Sequence, residues 1–109
     1  VYNISMIQTS FLIPLKDQFT QDLHPYTKFE ELEKDLLLMF GGWTSTGIVR
    51  GCWKDPDTNK EIYERSRKYV IAVKKKDVNK LREYLKNKAK TMFGQKSIYF
   101  EIAGKVEFL

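Results

Sequence analysis

The chain has 109 residues, of which 42% are hydrophobic and 30% charged, and this composition describes one globular domain rather than a disordered or membrane-embedded chain. One cysteine excludes an intramolecular disulfide and a thiolate metal cage, and the longest apolar run, residues 36–40, is far short of a span. Nineteen basic against fourteen acidic residues give a net charge of +5, but the lysines are dispersed and read as a solvated surface ahead of a polyanion site.

Residues 2–13, YNISMIQTSFLI, are rich in β-branched and aromatic types and predict a strand. The beginning of the chain has no basic region or small-residue cleavage site, so no leader is expected. Independence from oxidation fits a cytoplasmic setting. Residues 14–25 are polar and turn-rich. At TKFE, Thr27 and Glu30 have the spacing of a capping box. Phe29, Leu32, Leu36, Met39 and Phe40 then recur at helical spacing, and Gly41-Gly42 ends the helix.

Residues 43–53 predict a second strand, KDPDTNK a turn, and residues 61–74 a third strand. Asp77 is placed to cap a second helix, with Val78, Leu81, Leu85, Ala89 and Met92 as its buried stripe and Gly94 as its end. The last stretch, KSIYFEIAGKVEFL, is a strand with a break at Ala103-Gly104. The order βαββαβ predicts a ferredoxin-like α+β fold over residues 1–109, two helices on one face of an antiparallel sheet.

The segment FGGWTSTGIVRGCWKD holds both tryptophans, the cysteine and four of six glycines. Gly41 and Gly42 serve the helix end. Glycine within a strand marks a bulge, a kink or a close approach, so Gly47 and Gly51 call for a further reason. Trp43, Gly47, Gly51 and Trp53 share one parity, which predicts either tryptophans filling space left by glycine in a core or an aromatic-walled slot. No P-loop or dinucleotide fingerprint is present.

The run from Thr44 through STGIVRG to EIYERSRKYVIAVK resembles the second and third strands of PII-type signalling proteins at Arg50-Gly51, Glu61, Tyr63, Arg65 and Tyr69. The resemblance implies a βαββαβ core, trimers, and clefts between subunits that take adenine nucleotides or other small anions. The connecting loop is far shorter than that family's T-loop, and neither its glycine-rich phosphate loop nor its basic C-terminal segment is recognisable. The FGGxT and GxW pattern also looks like that of small bacterial or phage proteins.

His24 and Cys52 stand 28 positions apart and supply no metal set, so neither a metal nor a cofactor is expected. Cys52 in a strand reads as a small packed side chain, and His24 as a loop residue. Glu30, Glu31, Glu33 and Asp35 are accounted for by the start of a helix, where acids favour the dipole. With no acid, base or nucleophile set, the expectation is a non-enzymatic binding module, assembled as a dimer or trimer, with a small anionic ligand or a protein partner. Its candidate site is Trp43, Thr44, Arg50 and Trp53 on the second strand and Tyr63, Arg65 and Arg67 on the third. Arg50 would hold an anion, the tryptophans would wall the ligand and Tyr63 would orient it. Two alternatives stay open: a nucleic-acid binder using Arg65, Arg67, Lys68 and the aromatics, and a phage or mobile-element module acting on a host protein. No membrane partner is expected.

Overall fold

The computed structural model describes residues 5–109, so the start of the first expected strand, at residues 2–4, lies outside the described residues. Five strands, β1 (Met6–Pro14), β2 (Thr44–Lys54), β3 (Glu61–Lys74), β4 (Tyr99–Ile102) and β5 (Lys105–Phe108), form one antiparallel sheet in the order β2-β3-β1-β4-β5. Helix α1 (Tyr26–Phe40) joins β1 to β2, and a second helix joins β3 to β4. This is the ferredoxin-like α+β fold, extended by a fifth strand where the turn at Ala103-Gly104 breaks the expected last one.

Period-two patterning decides which face of the sheet is covered. Thr9, Phe11 and Ile13 of β1, Tyr69, Ile71 and Val73 of β3, and Phe100 and Ile102 of β4 are all buried. They meet Phe29, Leu32 and Leu36 of α1 and Val78, Leu81, Leu85 and Ala89 of the second helix. Each large apolar side chain so buried contributes about 1.5–3 kcal/mol. Two polar contacts tie helices into this core. Tyr69 Oη donates to Glu33 Oε2 at 2.7 Å, and Tyr84 Oη donates to Asp35 Oδ2 at 2.8 Å, where Lys88 Nζ also arrives at 2.6 Å.

The helix ends differ from expectation. Helix α1 starts at Tyr26 with Pro25 as its N-cap and no side-chain cap, so Thr27 lies inside the first turn and forms no capping box with Glu30. Proline fixes the entry angle there without a side-chain acceptor. At the other end Gly41 takes φ +84° and donates to the Leu37 carbonyl at 2.9 Å, as the glycine pair predicts. Asp77 likewise makes no side-chain cap. A 3₁₀ turn (Lys75–Asp77) leads into α2 (Val78–Tyr84), which continues through a π turn (Leu85–Ala89) and a final helical turn (Lys90–Met92).

Candidate functional site

Strand β2 is an edge strand and β3 outruns β1. Pairing of β1 with β3 stops at Pro14–Ser66, while β2 and β3 continue to Lys54–Glu61. The far half of this hairpin is therefore a two-stranded ribbon with Trp53, Tyr63 and Cys52 exposed, and Ile48 is exposed just before it on the same edge strand.

A bulge sets which side chains share a face. Ser45 pairs with Tyr69 and Gly47 with Lys68, so Thr46 is an extra residue in β2. Gly47, at φ +95°, accommodates the distortion and its N–H reaches Ser45 Oγ at 3.3 Å. One extra residue inverts every later side chain. The parity argument that put both tryptophans on one face is thereby corrected. The Trp43 ring stands 6.0 Å from that of core residue Tyr69, on the helix side, whereas Trp53 lies opposite Ile62 on the open side.

Beyond the bulge the helix-side face carries Arg50 opposite Arg65, Cys52 opposite Tyr63, and Ile48 opposite Arg67. Arg67 is occupied structurally, its guanidinium lying 4.7 Å from the Phe29 ring centroid and 5.8 Å from that of Tyr26. Arg50 rests 5.6 Å over the Tyr63 ring, and Tyr63 Oη donates to Glu61 Oε2 at 3.0 Å. The Tyr63 hydroxyl is held above its ordinary pKa by that carboxylate. The open face carries Gly51 opposite Glu64, with Trp53 beyond. A Cβ at Gly51 would meet nothing within 4 Å, so the glycine leaves free space beside the Glu64 carboxylate.

Two clefts meet here. One, of about 990 Å³, runs between the ribbon and the loop after β1 and is lined by Lys16, Arg50, Trp53, Asp55, Asp57, Tyr63, Glu64, Arg65 and Lys96 among others. The other, of about 610 Å³, lies on the open sheet face between Leu12, Pro14, Val49, Trp53, Tyr99 and Phe108. Gln18, Arg50, Trp53, Glu64 and Ser97 line both, which makes the two one continuous groove with Glu64 and Trp53 at the junction. Glu64 is the one carboxylate lining the open-face cleft. Among the described residues it has no side-chain hydrogen bond, and the ion pairs found are Arg82–Glu107, Lys88–Glu31 and Lys88–Asp35.

The floor of the groove is fixed by buried Gln95, whose Nε2 donates to the Lys16 and Phe93 carbonyls, both at 2.8 Å. Gln18 Oε1 accepts from Lys96 N at 2.8 Å, and Gln18 N donates to the Gly94 carbonyl at 2.9 Å. Asp17 caps its own turn through the backbone N–H groups of Phe19 and Thr20, which hold its carboxyl below the usual range.

The geometry thus brings Arg50, Trp53, Tyr63 and Arg65 to one groove and leaves Trp43, Thr44 and Arg67 outside it, Thr44 being paired with Val70 at the near end of β2. Glu64, Tyr99 and Phe108 are groove residues absent from the candidate set. The signal for Glu64 was its position beside Ile62 and Ser66 in the alternate parity of β3, opposite a strand glycine.

No protein-family model matches the sequence, and no curated protein matches it. Among solved structures the chain is similar to a phage SAM lyase in complex with S-methyl-5′-thioadenosine, with a TM-score of 0.72 and 14% identity, covering 100% of this chain and 92% of that one. At that identity the likeness shows the fold. The fold implied by the PII-type resemblance is therefore present, and it is shared with a phage protein. The expectation of a non-enzymatic module is corrected, because the same fold, over the full length of this chain, carries an enzyme in that phage protein. Absence of a recognisable acid–base set was the ground for that expectation. It is weak ground, since a substrate that carries its own leaving group makes few demands on a protein nucleophile or base. Among the described residues no helix is long and apolar enough to cross a membrane.

Proposed function

We propose that this chain cleaves S-adenosylmethionine to S-methyl-5′-thioadenosine, with the adenosine in the open-face cleft and the sulfur at the junction beside Glu64 and Trp53. The observation that carries this reading is the full-length likeness to the SAM lyase solved with S-methyl-5′-thioadenosine. The groove supports it chemically. Trp53, Tyr99 and Phe108 offer aromatic surface for a purine. A sulfonium is a cation, and it is favoured next to an unpaired carboxylate and an indole face. The resemblance of β2 and β3 to PII-type proteins, with their adenine-nucleotide clefts, supports the same ligand class.

In a lyase reaction the C–S bond to the amino-acid chain breaks and its electron pair goes to sulfur, which changes from sulfonium to neutral thioether. No water enters. The carbon left behind bonds to the substrate's own carboxylate oxygen, closing a lactone, so no proton has to be moved and the protein's work is binding and folding the chain back on itself. Glu64 holds the sulfonium in the ground state, and Trp53 shields it from water.

Incubation with S-adenosylmethionine followed by chromatography and mass spectrometry tests this directly. The expected result is S-methyl-5′-thioadenosine accumulating in amounts that scale with enzyme and time. Glu64→Gln should raise KM at least about tenfold with an unchanged melting temperature, since Glu64 binds the sulfonium and has no structural partner. No thioadenosine above the enzyme-free control would overturn the reading.

We further propose that the chain works as a homo-oligomer, a dimer or trimer, with the ribbon covered by a second copy. The exposed Trp53 and Tyr63 on the ribbon, and the exposed Ile48 on the same edge strand, support this.

A further inference from the structure

We propose that Arg50 and Arg65 together bind the α-carboxylate of the substrate's amino-acid chain, an assignment that rests on the lyase reading and adds the part of the substrate the product lacks. The register places these two residues directly opposite each other on one face. Their Cβ atoms are then about 4.5–5.5 Å apart, a separation at which like charges destabilise a strand pair. No counter-charge offsets this among the described residues: neither guanidinium has an ion pair or a side-chain hydrogen bond, and Arg50 has only the Tyr63 ring beneath it. Arg67, two residues along β3, differs in being seated over two rings, Phe29 and Tyr26, and in lining neither cleft.

The pair is also held in place. The Arg65 carbonyl accepts Leu15 N–H at 2.9 Å, which fixes the strand at this point, and the Tyr63 ring supports Arg50. Two guanidiniums anchored at their bases and free at their tips are suited to a fork-shaped anion. The charge inventory of the cleft selects which anion. Lys16, Arg50, Arg65 and Lys96 face Asp55, Asp57 and Glu64, four cations against three carboxylates. An oligophosphate would meet that many acids at a cost, whereas a ligand bearing one carboxylate beside positive groups matches the mixture. The aminocarboxypropyl sulfonium end of S-adenosylmethionine is such a ligand. Since Arg50 lines both halves of the groove, sulfur beside Glu64 and carboxylate on the arginines are reachable by one molecule.

Calorimetric titration with two stable probes separates the contributions. S-adenosylhomocysteine keeps the amino-acid end and lacks the sulfonium; S-methyl-5′-thioadenosine lacks the amino-acid end. Arg65→Gln and Arg50→Gln should each weaken S-adenosylhomocysteine by at least about tenfold, the loss of a charge-assisted hydrogen bond. Both should leave S-methyl-5′-thioadenosine within about twofold, which also shows that the variants are folded. Equal weakening of both probes, or of neither, would overturn the assignment while the lyase reading stands. If neither probe binds the unaltered protein, the lyase reading falls and the assignment with it.

Discussion

His24 shows how one side chain sets a pH limit on the loop that frames the groove. Its ring stands edge-on to Phe93 at 5.1 Å and to Phe29 at 6.4 Å, and Nε2 is buried with no partner among the described residues. Burial, and then the charge of nearby Lys28, lower its pKa from the ordinary 6.5. The folded state therefore prefers the neutral ring, while the unfolded chain takes up a proton as pH falls through about 6.5. The stability His24 supports is fully present above that value and declines as pH drops towards the lowered folded pKa. Denaturant unfolding at pH 7.5 and 5.5 should show a lower midpoint at 5.5, and His24→Phe should remove most of the difference. An equal drop in the variant would assign the loss to other groups. Asp17 does not confuse the measurement, because its depressed carboxyl titrates below the ordinary carboxylate range, in a more acidic window.

At the scale of elements, the turn between β4 and β5 carries a removable strain. Ala103 sits at φ +49° and Gly104 at +76°, the pair of left-handed positions a tight hairpin needs, and alanine pays a steric penalty there that glycine does not. Ala103→Gly should raise stability by about 0.5–1 kcal/mol despite its larger unfolded-state entropy, read as a higher urea midpoint with the same slope. A lower midpoint would show that the entropic term dominates. The helices and β3 were legible because 3.6-residue and two-residue apolar repeats persist over several turns or pairs: Phe29, Leu32 and Leu36 on one side, Tyr69, Ile71 and Val73 on the other. The helix starts were legible in part: Asp77 is the N-cap of α2, but its backbone is already helical after the 3₁₀ turn and its side chain makes no cap, while Thr27 lies two residues past the Pro25 N-cap. The inverted face of β2 was also hidden. Parity counting assumes no extra residue, and Thr46 is one; Gly47 was the visible trace of it.

Across the whole molecule, long-range pairing decides what the groove contains. Arg50, Trp53, Tyr63 and Arg65 were within reach of a sequence reading because β2 and β3 are joined by one short turn. Tyr99 and Phe108 arrive from the far side of the sheet through the β1–β4 pairing, and nothing local to them announces it. The same topology leaves the ribbon uncovered, which is why a second copy is expected on it. Light scattering in line with size exclusion should give a mass of two or three chains of 12.9 kDa, and Ile48→Lys should shift it towards one. A monomer at every concentration would remove the oligomer and leave the groove argument to stand on one chain.

The bulge at Thr46 has a practical corollary. By turning Trp53 to the face opposite Trp43, it gives the protein two partly exposed fluorophores with different neighbours, one beside the core residue Tyr69 and the other in the cleft. Replacing Trp43 with phenylalanine isolates the second signal, so that ligand titrations and unfolding can be followed in the same cuvette without a label.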